Sequence, residues 1–267
     1  MCSAPDSKPP IEAAPSGPAS GRSIGLIASD GQRLAAFEAA AQHPTGAGII
    51  VLPDYGGLSG FYQELALRFA ETGVDAVAID YYGRTAGAPP RDDSFDQRHH
   101  AQLTRWAGLQ ADAAAAAAHL RLKRRVRSLF SIGFCFGGRV SFLLGTLPRL
   151  SLAGVIGFYG WPVGPFLNDT PAPADLASKL QSPLLGIFGG ADAKISADDI
   201  ETFRRALSHA TVGHELRVYD GAPHSFFDRR HEDFSQASAD AWREVRSFIR
   251  AHSVGTPPDS AGAHSDA

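Results

Sequence analysis

A chain of 267 residues with 25 Lys and Arg against 28 Asp and Glu has a net charge of -3, too weak a field to single out nucleic acid or an anionic membrane as partner. With 44% hydrophobic and 20% charged residues it can bury a sizeable core, and its length suits one large α/β domain better than two. The two cysteines are poorly placed for a disulfide framework, and neither a signal-peptide pattern nor an apolar run of about 18 residues occurs, so a cytoplasmic enzyme acting on a small molecule is expected.

Residues 1–22 and 253–267 are rich in Pro, Ala, Ser and Gly without periodicity, and both are expected to be disordered tails around a domain at 23–252. The domain opens with strands at 23–28 and 33–38, joined through Asp30-Gly31 as an antiparallel hairpin at a sheet edge. Short apolar runs at 48–52, 76–79, 128–132, 154–158, 184–188 and 215–219 read as strands covered on both faces. Helical segments at 60–72, 97–124, 138–147, 197–209 and 236–252 separate them, which predicts a mostly parallel central sheet with helices on both faces. The run Ala113–Ala118 followed by Lys123, Arg124 and Arg125 is read as a strong helix with cations in its last turn, not as a basic binding surface.

The most informative stretch is Gly133-Phe134-Cys135-Phe136-Gly137-Gly138, which follows an apolar strand and precedes a helix. That is the pattern of a nucleophile elbow, where a strained strand-to-helix turn exposes the nucleophile and flanking glycines admit close backbone. The start of the helix is expected to favour the Cys135 thiolate. In an α/β-hydrolase fold the acid and the histidine follow on loops after later strands. Asp192 in Gly189-Gly190-Ala191-Asp192 and His224 in Pro223-His224-Ser225-Phe226 occupy those places. His224 would exchange the proton and Asp192 would fix the imidazole tautomer. Asp198 and Asp199, at a helix start, suit capping instead, and His209, His214 and His231 lack the glycine-rich setting. The expected oxyanion donors are the backbone N–H groups of Phe136 and of Tyr55, the latter in Pro53-Asp54-Tyr55-Gly56-Gly57.

With Asp80-Tyr81-Tyr82-Gly83-Arg84 and Gly157-Phe158-Tyr159-Gly160 added to these segments, the chain from 23 to 252 resembles the dienelactone hydrolase family. The resemblance implies a Cys135, Asp192 and His224 triad, hydrolysis of an enol-lactone in aromatic-compound breakdown, and no metal or organic cofactor. It further implies that Asp54 stands where the family has a glutamate contacting the resting cysteine, where like-charge repulsion would raise the thiol pKa against the helix end and favour a neutral resting thiol, and that Arg84 binds the substrate carboxylate. A second family arginine falls at Asp228 here, with Arg229 and Arg230 just beyond, so a one-residue shift would let Arg229 serve. Long connections at 85–99 and 161–180 suggest that Tyr82, Trp161 and Phe226 help line the pocket. The leading expectation is therefore a cysteine hydrolase of small, anionic esters or lactones. Its alternatives are a broad carboxylesterase or thioesterase, and a non-catalytic binding protein on a hydrolase fold.

Overall fold

In the computed structural model, residues 9, 11, 19–88, 91, 94–228 and 232–255 are described. Eight strands form one sheet: β1 (Ala19–Ile27), β2 (Arg33–Ala41), β3 (Ala47–Leu52), β4 (Asp75–Ile79), β5 (Ser128–Phe134), β6 (Gly154–Phe158), β7 (Leu184–Gly189) and β8 (His214–Tyr219). Their order is β1-β2-β4-β3-β5-β6-β7-β8, with β1 and β2 antiparallel at one edge and every pair from β4 to β8 parallel. The hairpin turns at Gly31, whose φ of 83° lies in the left-handed region open to glycine. Strands β3 to β7 are buried along their whole length, as apolar strands covered on both faces must be.

Among the described residues seven α-helices connect or flank the strands: α1 (Gly60–Glu71), α2 (Gly83–Ala86), α3 (Gln97–Leu103), α4 (Trp106–Arg124), α5 (Phe136–Leu144), α6 (Ala197–Leu207) and α7 (Ser235–Ala251). Of the acids set aside as caps, Asp199 forms a reciprocal capping box with Ser196 at the start of α6, and Asp198 lies in the same first turn. The amphipathic α7 turns Trp242, Val245, Phe248 and Ile249 into the core. None of the helices is long and apolar enough to cross a membrane, among the described residues.

Three expected boundaries are corrected. Ala19–Arg22, expected in a tail, belong to β1, where they pair with Glu38–Ala41 and Arg22 reaches Glu38 Oε2 at 2.7 Å. Ser253–Gly255 are likewise held at the domain, because Val254 N–H donates to Ser128 Oγ at 2.8 Å. The helix expected over 97–124 is broken at Thr104 and Arg105, both extended. Thr104 is buried, its hydroxyl donates to Ala101 O at 2.7 Å, and Asp169 caps the restarted helix by accepting from Trp106 N–H at 2.7 Å. The helical pattern continues through the break, while the partners that cause it come from a distant loop.

Candidate active site

The elbow is built from backbone strain and missing side chains. Cys135 joins β5 to α5 at φ 55° and ψ -114°, a conformation that costs a non-glycine residue roughly 1–3 kcal/mol. Its N–H donates to Phe158 O at 3.0 Å, which ties the turn to β6. A Cβ on Gly133 would fall on the Gly137 carbonyl, and one on Gly137 would fall on the carbonyls of Leu52 and Pro53. The glycines two places on either side of the cysteine are therefore dictated by packing of the turn against itself and against β3.

The acid and the histidine arrive on the loops after β7 and β8. Asp192 Oδ1 accepts the backbone N–H groups of Lys194 at 2.8 Å and Ile195 at 3.3 Å, leaving Oδ2 for His224 Nδ1 at 2.7 Å. With Nδ1 donating to the carboxylate, the neutral ring carries its lone pair on Nε2. That nitrogen is buried and has no hydrogen-bond partner among the described residues, while the ring packs between Tyr159 and Trp161 with centroids at 4.9 and 5.0 Å. Asp192 and His224 are thus joined, but no hydrogen bond links His224 to Cys135.

The thiol follows the repulsion expected from Asp54 and not the pull of the helix end. Burial pushes the Cys135 pKa far above its ordinary value, and the negative charge of Asp54 adds to the shift, followed by that of Asp228. The Phe136 N–H at the start of α5 and the Lys194 ammonium act in the opposite direction and are outweighed. Burial and the Asp54 charge together outweigh the helix end and favour the neutral thiol, because the desolvation cost of the anion exceeds what one helix end returns.

The loop carrying Tyr55 is held by three tyrosines. Tyr62 Oη accepts Asp54 N–H at 3.0 Å, Tyr81 Oη donates to Pro53 O, and Tyr82 Oη donates to Tyr55 O at 2.6 Å. Asp54 Oδ1 accepts Gly56 N–H at 2.7 Å and closes the turn from within. Tyr82, expected in the pocket wall, is fully buried and acts as a strut for this loop. Phe226 is also corrected: Ser225 at φ 62° turns the next ring inward against Phe158, Tyr159 and Tyr219.

Arg84 is the largest correction. Its guanidinium donates to both oxygens of the buried Asp112 at 2.8–3.1 Å and to Asp30 at 2.6 and 3.2 Å. Both edges of the fork are occupied, so it braces α4 against the β1–β2 turn instead of presenting donors to a ligand. Arg229 and Arg230 lie outside the described residues.

Beside the Asp192–His224 pair lies a cavity of about 450 Å³, with apolar walls of Trp161, Pro165, Phe166 and Leu167. Tyr55 borders it, and so do two cations, Arg98 of α3 and Lys194. It meets the elbow through Phe166, which stacks on Phe136 at 5.1 Å, and the histidine through Trp161. Arg139 anchors this wall from below. Fully buried, it donates to Trp161 O at 3.0 Å, Gly164 O at 2.9 Å and Thr170 O at 3.0 Å, and burial lowers its pKa to about 10. Sequence reasoning passed over Arg139, although a lone cation among Phe136, Val140, Phe142, Leu143 and Leu144 on one helix is a visible sign of a buried charge. Arg98, Phe166 and Lys194 were missed because they carry no motif.

A parallel sheet, a strained cysteine turn and an Asp–His pair at its carboxyl edge define an α/β-hydrolase. The model of the dienelactone hydrolase family matches residues 34–253, and the chain belongs to that family of carboxylic-ester hydrolases. A Yersinia pestis protein named as a candidate carboxymethylenebutenolidase is 30% identical over 254 residues, covering 87% of this chain and 89% of its own length. A protein of Saccharolobus solfataricus with the same name is 27% identical, covering 83% of this chain and 95% of its own. The crystal structure of a candidate dienelactone hydrolase from Klebsiella pneumoniae superposes with a TM-score of 0.73 at 27% identity, covering 86% of this chain and 98% of that one.

Proposed function

We propose that the enzyme hydrolyses small esters or enol-lactones through Cys135, with His224 as proton carrier and Asp192 as its orienting acid. The observation that carries this reading is the 2.7 Å bond between His224 Nδ1 and Asp192, which leaves the buried Nε2 of the ring for proton transfer. In the proposed cycle the thiol proton passes to Nε2 as sulfur bonds to the substrate carbonyl carbon, whose π electrons move to oxygen. The backbone N–H groups of Phe136 and Tyr55 are the proposed donors to that oxyanion. Collapse breaks the carbon–oxygen bond, and the leaving oxygen takes the proton from Nε2, giving a thioester on Cys135. A water, deprotonated by His224, then attacks the thioester and releases the acid and the thiol. The neutral resting thiol fits a site in which charge appears only when substrate has filled the cavity.

Replacing Cys135 by alanine should lower kcat for an activated p-nitrophenyl ester by roughly 10⁴-fold or more, the scale of removing a nucleophile from a working triad. Circular dichroism should show an unchanged fold, since the sulfur makes no bond that holds the elbow together. Wild-type turnover in this variant would remove Cys135 from the mechanism.

A second reading, a broad esterase for neutral substrates, is favoured by one observation: the guanidinium of Arg84 is committed to Asp112 and Asp30. On that reading a carboxylate on the substrate confers no advantage.

A further inference from the structure

The Asp54–Tyr55 peptide, whose N–H is one of the two proposed oxyanion donors, lies in a turn closed by its own groups. Gly57 N–H donates to Asp54 O at 3.1 Å and Gly56 N–H to Asp54 Oδ1 at 2.7 Å. These bonds fix the shape of the turn but not the direction in which it faces the elbow. That direction is set from a neighbouring strand. β3 and β4 run parallel with Val51 beside Ala78, so the residues that follow β4 lie alongside those that follow β3. Strand register thereby delivers Tyr81 and Tyr82 to the turn.

Tyr81 reaches both proposed donors. Its hydroxyl donates to Pro53 O and also to Asp54 O at 3.3 Å, the carbonyl of the peptide that carries the Tyr55 N–H. A planar trans peptide turns as one unit, so a bond that holds its C=O also aims its N–H the opposite way. The Tyr81 ring meets the Phe136 ring edge to face, with centroids 5.5 Å apart, and Phe136 carries the other proposed donor at the start of α5. One fully buried side chain thus joins the loop after β3 to the elbow. A phenylalanine would fill the same space, so what the hydroxyl adds is the grip on the two carbonyls. Tyr82 holds the next peptide, donating to Tyr55 O at 2.6 Å. Its own place is fixed by Asp80, which accepts Tyr82 N–H at 3.2 Å and the fork of Arg91 at 2.7 and 3.1 Å, and by the Arg91 guanidinium 5.8 Å from its ring centroid.

Resting on the proposed hydrolase reading, we infer that Tyr81, with Tyr82 as a second strut, is a positioning residue for catalysis: its hydroxyl aims the Tyr55 N–H and its ring keeps that donor in step with Phe136. Neither hydroxyl touches the substrate. Both matter once sulfur has bonded to the carbonyl carbon and negative charge has collected on oxygen, because a donor tilted away from that oxygen supplies less stabilisation. The loss on removing a strut therefore falls on kcat and not on binding of the ground-state ester.

The test compares the full wild-type chain with Tyr81→Phe and Tyr82→Phe, each of which keeps the ring and removes one hydroxyl. For p-nitrophenyl butyrate, kcat should fall about tenfold in Tyr81→Phe and about threefold in Tyr82→Phe, with KM within about twofold of wild type. Propyl trifluoromethyl ketone reads the oxyanion without turnover. The thiol sulfur adds to its carbonyl carbon, the π electrons move to oxygen and the thiol proton passes to His224. Its dissociation constant, followed by fluorine NMR, should rise about tenfold in Tyr81→Phe, in step with the fall in kcat. Alkylation of Cys135 by iodoacetamide expels iodide and develops no oxyanion, so its rate should stay within about twofold of wild type in both variants. Unchanged kcat and ketone affinity in both variants would overturn the inference, and so would alkylation that slows as much as kcat, the mark of a merely structural loss. If Tyr81→Phe does not fold, Tyr82→Phe decides by the same three readouts. A wild type that cleaves no ester yet binds the ketone with Tyr81-dependent or Tyr82-dependent affinity would sustain the positioning role and sink the hydrolase reading alone. A wild type that does neither would end both.

Discussion

The elbow and the cavity beside it are a few ångströms apart and are specified in opposite ways. At the elbow, six consecutive residues from Gly133 to Gly138 carry the turn, the nucleophile and the space for both, so local sequence determines local geometry. The cavity is assembled from α3, the loop after β3, the 161–170 segment and the loop after β7, held by contacts between residues tens of positions apart. Chemistry here is written locally and recognition is written by tertiary packing, which is why the two respond differently to substitution.

The sharpest way to separate them is Arg84→Ala. On the family resemblance this residue binds substrate, whereas in the fold it neutralises a buried aspartate. Removing it leaves Asp112 unpaired in the core, a change that typically costs about 3 kcal/mol or more. Burial already raises the Asp112 pKa, and loss of Arg84 raises it further. An acid whose folded pKa lies above its unfolded value contributes most below the unfolded value and loses that contribution as pH rises. The destabilisation should therefore be larger at pH 8 than at pH 5 in denaturant titrations, while the ratio of kcat/KM for an anionic ester to that for a neutral one stays near wild type. A collapsed ratio with unchanged stability would return Arg84 to the substrate.

Arg139→Met probes the join between the two regions. It strands the carbonyls of Trp161, Gly164 and Thr170 but relieves a costly buried cation, so a net loss of about 2 kcal/mol is expected. KM should rise more than kcat falls, because the loosened wall belongs to the cavity. Equal losses in both parameters would place Arg139 in the chemistry.

A smaller effect is expected at the thiol. Alkylation of Cys135 by iodoacetamide should stay slow through pH 8 and climb only above the ordinary thiol range near 8.5, since the folded pKa is raised. Asp54→Asn removes the second-largest contribution and should speed alkylation at pH 8 by about tenfold. No change would show that burial alone sets the thiol.

The contrast also explains what could be read before the fold was known. The placement of Cys135, Asp192 and His224 at strand ends was legible because each sits in a glycine-marked turn after a strand, and the alternation of strands and helices gave the sheet. Asp192 meets His224 as expected, while the Cys135–His224 hydrogen bond is not formed and the triad roles rest on the proposed cycle. Tyr82, Phe226 and Arg84 were misplaced because a residue's nearness to a motif says nothing of the direction its side chain takes. Tyr82 points to Tyr55 O, Phe226 points into the core, and Arg84 finds Asp112 twenty-eight residues on. The sequence offered two opposed effects on the Cys135 thiol, a helix end and the Asp54 carboxylate, but not the largest one, since desolvation depends on how many neighbours close over the sulfur.

The most direct measurement is rapid acid quench of the enzyme during turnover of an activated ester, followed by mass spectrometry of the peptide containing Cys135. An acyl mass increment on that peptide, absent in Cys135→Ala and hydrolysed with time in wild type, is the expected result. Turnover at full rate with no adduct on Cys135 at any quench time would contradict covalent catalysis by this thiol.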